Sequence, residues 1–250
     1  MSLRKHIPNT ITSLNLVSGF IGVIAAFYGR NDIAFLMMLL AAVFDFCDGL
    51  SARMLGAYSE MGKELDSLCD AVSFGVLPAI MLFKISTELG GGNCCFIVRN
   101  ITLWSLFPIL IAVFSAVRLA KFNIDERQSE NFIGLATPAC AMICGSLVYY
   151  VTKTPDSFLR AWCAGPVFIP VLSVVLSALL VSEFPMFSMK FKKGEKSYSA
   201  VHKMRIAFIG VILVTFVAVM LMGLNWSMTV FFAFVVYIVM NILQDLFGRK

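Results

Sequence analysis

The sequence predicts an all-α integral membrane protein, a polytopic bundle of about eight transmembrane helices. Composition is the first observation: 59% of the 250 residues are hydrophobic, 14% are charged, and the mean hydropathy is +0.86, far from what a water-soluble domain shows. The second is segment length. A helix needs on the order of 20 predominantly apolar residues to cross the hydrocarbon core, and eight stretches approach that: 11–28, 33–54, 64–84, 101–122, 135–152, 159–181, 205–224 and 228–246. No internal repeat, low-complexity tract or soluble domain interrupts them, so residues 1–250 read as one integral membrane domain.

The first stretch follows Arg4 and Lys5 and has no small-residue cleavage signature after it, so it is expected to be retained as a span. Inside the second and third, away from Arg53, Glu64 and Lys84 at their ends, the charged residues are Asp45, Asp48, Asp66 and Asp70. The fourth ends in Arg118 and Lys121, whose long stems suit an interface. The fifth and sixth carry cysteines and serines, and the seventh and eighth are almost purely apolar until Asp245.

Basic residues resist translocation. Arg53, Lys63, Arg118, Lys121, Arg127, the group from Lys190 to Lys203 and both chain ends fall on one side, against Arg30, Lys84, Arg99, Lys153 and Arg160 on the other. Both termini are therefore expected in the cytoplasm. The formal charge of +5 concentrates on that surface, where Lys190, Lys192, Lys193, Lys196 and Lys203 either set topology or meet anionic headgroups. Nucleic acid is not an expected partner.

Seven cysteines (Cys47, Cys69, Cys94, Cys95, Cys140, Cys144 and Cys163) lie mostly within spans, as small apolar residues rather than a disulfide framework. No C-x-x-C spacing or histidine cluster occurs. His6 and His202 stand alone at membrane edges.

The four aspartates are the informative feature. An ionised Asp at bilayer depth costs roughly 2.5–3.5 kcal/mol on insertion scales, so buried carboxylates are retained where something compensates their charge. Asp45 and Asp48 are three apart and Asp66 and Asp70 four apart, so each pair shares one helix face. The site lies within one leaflet, below the headgroups. Gly49, Ala52 and Gly62 are expected to let the two helices approach closely. Oxygen donors without thiolate or imidazole favour Mg²⁺ or Mn²⁺ over zinc, with Ca²⁺ less suited. Arg53, one turn beyond Gly49, is a bidentate donor matched to phosphate. Cation and Arg beside lipid suggest phosphoryl chemistry on a lipid substrate.

Asp45, Asp48, Gly49, Ala52, Arg53, Gly62, Asp66 and Asp70 fill the pattern D-x2-D-G-x2-A-R-x8-G-x3-D-x3-D without a departure. In this the chain resembles the CDP-alcohol phosphotransferase family. The resemblance implies a homodimeric helical membrane enzyme that displaces CMP from a CDP-activated substrate with an alcohol. It implies a two-metal centre at Asp45, Asp48, Asp66 and Asp70, with Asp70 also the catalytic base, and contacts to the CDP moiety from Gly49, Ala52 and Arg53; Gly62 belongs to the same CDP-binding set. It also divides the chain: 1–181 as the family core with six spans, 182–204 as a basic cytoplasmic loop, and 205–250 as two additional spans.

Three flanking segments, 7–15, 118–123 and 134–139, resemble the bacterial and archaeal phosphatidylserine synthases of that family. This implies CDP-diacylglycerol as donor and L-serine as acceptor in a cytoplasmic membrane, with the active site facing the cytoplasm. Arg118 and Lys121 are then reasonable partners for the serine carboxylate, or else anchors at a helix end. Asn9, Thr12 and Asn15 either meet the nucleotide or cap and pack the first helix. Within the family, glycerol 3-phosphate, inositol phosphate or a second lipid are alternative acceptors. Outside it, paired intramembrane carboxylates also build cation transporters, although the other side offers only Asp32, Glu88 and Asp156 in loops.

Overall fold

The computed structural model describes residues 6–90, 96–98, 101–125, 132–186 and 200–248. Among the described residues each of the eight expected segments is wholly or mostly helical, in ten α-helices: α1 His6–Phe27, α2 Asn31–Leu55, α3 Glu60–Asp70, α4 Leu77–Leu89, α5 Ile109–Ile124, α6 Thr137–Lys153, α7 Phe158–Ala164, α8 Phe168–Val181, α9 Ala200–Leu221 and α10 Ser227–Gly248. Two short antiparallel ribbons join them, β1 Phe96–Val98 with β2 Ile101–Thr102, and β3 Phe132–Ile133 with β4 Pro185–Met186. The residues from Lys190 to Lys196, with Arg4, Lys5, Cys94, Cys95, Arg99, Arg127, Arg249 and Lys250, lie outside the described residues.

Among the described residues, five helical runs are long and apolar enough to cross a membrane, or six if one bent pair is a single span, against the eight expected. The differences have local causes. The continuous span expected over 159–181 is instead α7 and α8, bent by 87° at Gly165–Pro166, where proline cannot donate to the ladder and glycine adds freedom. The fourth segment is one of the five, counted from Trp104 to Ile124, although it begins as β2 and a 3₁₀ turn, Trp104–Leu106, and becomes α-helical only after Pro108; α9 counts as a shorter apolar helix over Ile206–Leu221. Helix α6 has 17 residues and is covered on nearly every side.

Residues Glu60–Leu89 form one 30-residue helical run interrupted by a π turn at Ala71–Val76, immediately after Asp70. Pro78 supplies a reason, since it has no N–H for the carbonyl of Phe74, four residues back. The link between α2 and α3 is closed at both ends. Gly56, at φ 58°, caps α2 by donating to the Ala52 and Arg53 carbonyls, and Ser59 caps α3 by accepting from the Gly62 N–H at 3.0 Å.

Helix α1 packs against both α2 and α3 and so holds the two aspartate helices in place. A Cβ on Gly19 would overlap Ser73, and one on Gly22 would reach Leu77 Cδ2 at 2.7 Å, so these glycines make the close approach to the π turn and α4. The core centres on α6, which meets α2, α4 and α10. Phe35, Tyr149 and Trp226 pack with centroids 5.2–5.8 Å apart. At the end of α2 remote from Asp48, Asp32 pairs with Arg30 at 3.1 Å and Lys153 at 2.9 Å. Val17, Phe20 and Ile24 on α1, Val43 and Phe46 on α2, and Leu213, Val214 and Val217 on α9 face outward, as lipid-facing residues would. Cys69, Cys140, Cys144 and Cys163 are buried free thiols.

Candidate active site

Asp45, Asp48 and Asp66 each offer a carboxylate oxygen, and the three oxygens lie within 4.8 Å of one another. Two of these residues come from α2 and one from α3, as the helical spacing requires. Asp48 is buried and the others are half-buried. Asp70 stands outside this group of three: it is buried, and its Oδ1 accepts a 3.0 Å hydrogen bond from Asn15 Nδ2. Asn15 is itself held by Ser73, whose hydroxyl donates to the Asn15 carbonyl at 3.1 Å.

The donor set fits a hard divalent cation. It consists of carboxylate oxygens alone, and Asp48 Oδ2 is buried with no hydrogen-bond partner among the described residues, a cost that a cation would offset.

Two cavities meet at the carboxylates. The first, ≈ 310 Å³, is lined by Asn9, Thr12, Asp48, Gly49, Ala52, Tyr58, Ser59, Gly62, Lys63 and Asp66, with Pro8 and Ala57. It gathers five of the expected CDP-binding residues, Asn9, Thr12, Gly49, Ala52 and Gly62. The close helix approach expected at Gly49 is not its role, because a Cβ there would meet nothing within 4 Å. Glycine at this position leaves space in the cavity instead. Arg53 is exposed and lines neither cavity; its Nε donates to the Gly49 carbonyl at 2.9 Å, at the rim of the first. The Thr12 hydroxyl donates to the Pro8 carbonyl at 3.0 Å and also lies against the Asp48 carboxylate.

The second cavity, ≈ 440 Å³, contains Asp45, Asp66 and Asp70 together with Lys63, Ser67, Arg118, Phe122 and Asn123, and is closed by Phe234 and Tyr237 of α10. Arg118 is buried, donates through Nη1 to Thr137 Oγ1 at 3.2 Å, and lies 5.4 Å from the centre of the Phe122 ring. Lys121 is exposed and absent from this cavity's lining.

Lys63 lines both cavities, and sequence reasoning gave it no role beyond topology. Its Nζ donates to the Asn123 carbonyl at 2.8 Å, and Asn123 Nδ2 donates to Ser67 Oγ at 3.0 Å. These bonds tie α3 to the end of α5. The available signal was its position three residues before Asp66, on the same helix face. Phe234 and Tyr237 carried no signal, being aromatic residues in an apolar span.

The profile of the CDP-alcohol phosphatidyltransferase family matches residues 5–181. The chain belongs to this family. The match includes all four aspartates and stops before α9 and α10. Among its curated relatives, an archaetidylserine synthase from Methanothermobacter thermautotrophicus is 31% identical over 181 residues, covering 72% of this chain and 69% of the relative. A CDP-diacylglycerol–serine O-phosphatidyltransferase from Mycobacterium leprae is 31% identical, over 78% of this chain and 62% of the relative. One from Bacillus subtilis is 29% identical, over 73% of this chain and 92% of its own length. CDP-alcohol phosphatidyltransferases are generally divalent-metal dependent, consistent with the donor set at Asp45, Asp48 and Asp66.

Proposed function

We propose that the protein is a metal-dependent enzyme that transfers the phosphatidyl group of CDP-diacylglycerol to the hydroxyl of L-serine, releasing CMP. The observation that carries this reading is the carboxylate group standing between two cavities, one lined by Gly49, Ala52 and Gly62 of the family motif, the other by Asp70 and Arg118. The names of the relatives support serine as the acceptor.

The cytidine diphosphate occupies the first cavity, where Gly49 and Ala52 leave room for it and Asn9 offers an amide. Arg53 reaches the diphosphate by leaving the Gly49 carbonyl. Serine occupies the second cavity with its carboxylate toward Arg118, a charge-assisted contact, and Lys121 assists from outside. The serine oxygen attacks the phosphatidyl phosphorus, the bond from that phosphorus to the CMP oxygen breaks, and the hydroxyl proton passes to a carboxylate. Asp70 is the base, held toward the cavity by Asn15, although closely spaced carboxylates titrate as a cluster. Asp45, Asp48, Asp66 and Asp70 would hold two Mg²⁺ or Mn²⁺ ions, which when bound supply neutralisation of the diphosphate charge.

The working form is a homodimer in a bacterial or archaeal cytoplasmic membrane, with both termini and the carboxylate end of the bundle toward the cytoplasm, where CDP-lipid and serine meet. A product assay with purified protein, CDP-diacylglycerol, Mg²⁺ or Mn²⁺ and a panel of alcohols tests the activity. Phosphatidylserine and CMP should form with serine. Reaction with glycerol 3-phosphate or inositol phosphate in its place would overturn the acceptor while leaving the family chemistry intact.

A further inference from the structure

A third cavity, ≈ 360 Å³, lies on the far side of Arg118, between the ends of α5 and α8 and beside β3. Its charged walls are Arg118, Lys121, Asp125 and Glu183, with Ile133 and Ser182 between them. It shares Arg118 with the second cavity and no residue with the first. The second cavity thus neighbours both of the others, with Arg118 between it and the third. That guanidinium is buried on Thr137 Oγ1 and over the Phe122 ring, and from there it lines both spaces. Lys121 and Glu183 are exposed and form the outer rim.

Ile133 of β3 contributes to the wall, and the segments next to the β3–β4 ribbon are bonded to one another. The Gly134 N–H donates to the Phe184 carbonyl and the Leu135 N–H to the Leu179 carbonyl, each at 2.9 Å. A Cβ on Gly134, at φ 77°, would sit 2.7 Å from the Ser182 carbonyl. The end of α8 is thus pinned against the start of α6, which keeps Ser182 and Glu183 opposite Arg118 and Lys121.

The walls carry both signs of charge. A small zwitterion finds a cationic partner for its carboxylate and an anionic partner for its ammonium. A phosphorylated alcohol meets Asp125 and Glu183 with no ammonium to offer, and like-charge approach rejects it. We propose that this third cavity is the vestibule through which the acceptor arrives, and that Asp125 and Glu183 select an amino-acid zwitterion by its ammonium while Arg118 and Lys121 take its carboxylate. The inference rests on the serine reading above and adds a route and a second recognition element to it. Separate approaches let donor and acceptor bind without passing one another.

The test uses the purified full chain in lipid nanodiscs and measures phosphatidylserine formation with serine varied at fixed CDP-diacylglycerol and Mn²⁺. Glu183→Gln should raise the serine KM about fivefold, the scale of one exposed charge contact, and leave the CDP-diacylglycerol KM unchanged. Glu183→Lys should make glycerol 3-phosphate a stronger competitor against serine. Ser182→Cys modified with a bulky thiol reagent should lose serine-dependent turnover in proportion to the fraction labelled, beyond any loss in identically treated wild type, with donor binding retained. If wild type makes phosphatidylserine and neither the variants nor the label change its serine dependence, the vestibule is refuted and the serine reading stands. If wild type uses another acceptor and not serine, the serine reading falls and the zwitterion assignment with it.

Discussion

Replacing Gly49 by alanine should separate stability from function. The residue lies inside α2, where glycine costs about 0.5–1 kcal/mol relative to alanine, and a Cβ built there meets nothing within 4 Å. The fold should therefore gain roughly that amount, because nothing in the protein has to move. The new methyl projects into the ≈ 310 Å³ first cavity and occupies about the 30 Å³ of a water molecule, about a tenth of that space. Overpacking a fitted site costs about 1–3 kcal/mol, so CDP-diacylglycerol should bind about 5- to 150-fold more weakly, and Gly49→Val should be worse. Thermal unfolding in detergent reads the first effect. Titration with CDP-diacylglycerol, alongside donor and serine KM values, reads the second. A fall in unfolding temperature for Gly49→Ala would mean that the glycine serves packing after all. An unchanged donor affinity would mean that the nucleotide does not occupy this cavity.

Asp66→Asn should abolish turnover while the protein still folds, and should weaken Mn²⁺ binding followed by electron paramagnetic resonance; near wild-type activity at limiting Mn²⁺ would contradict the metal assignment. Lys63→Met removes the ammonium from the Asn123 carbonyl at a residue lining both cavities, so kcat should fall with both KM values altered, whereas a purely structural role would lower the unfolding temperature alone. Arg118→Ala should raise the serine KM by the loss of a contact worth about 1.5–3 kcal/mol, and any slow reaction with ethanolamine, which lacks the carboxylate, should be insensitive to it. Gly145→Ala forces a Cβ to within 2.7 Å of Phe35 Cδ2 and 3.0 Å of Met38 Sδ, and should destabilise the bundle by about 1–3 kcal/mol, read by thermal unfolding.

The helices were legible because hydropathy and length are properties of a single chain segment, and the carboxylate pairs because i, i+3 and i+4 spacing fixes a face before any partner is known. What remained hidden depends on relations between segments. The sequence of α2 cannot show whether Gly49 faces a helix or a cavity, since small residues serve both, and here the space is open. Lys63 reads as an interfacial cation until α5 brings Asn123 to it. Phe234 and Tyr237 look like lipid-facing aromatics until α10 is seen against α6. The bend at Gly165–Pro166 was written in two residues but outweighed by the apolar run around them. Arg118 was found for its charge, while its place at the junction of two cavities required Thr137 and Phe122 from the fold.

Helix α6 carries a consequence for how the polypeptide is made. Enclosed by α2, α4 and α10, with Ser146, Cys140 and Cys144 buried along it, it has no need of a side chosen for lipid, and its 17 residues include two tyrosines, a serine, two threonines and a terminal lysine. A segment of that kind partitions weakly from the translocon into bare bilayer, so its retention during synthesis has to draw on α2 and α4, which precede it off the ribosome. Its remaining flank stays open until α10, which lies later in the chain, arrives. The second cavity gains Phe234 and Tyr237 at that same step. The nascent chain should therefore complete its second cavity only once α10 has been made, well after all four aspartates have entered the membrane.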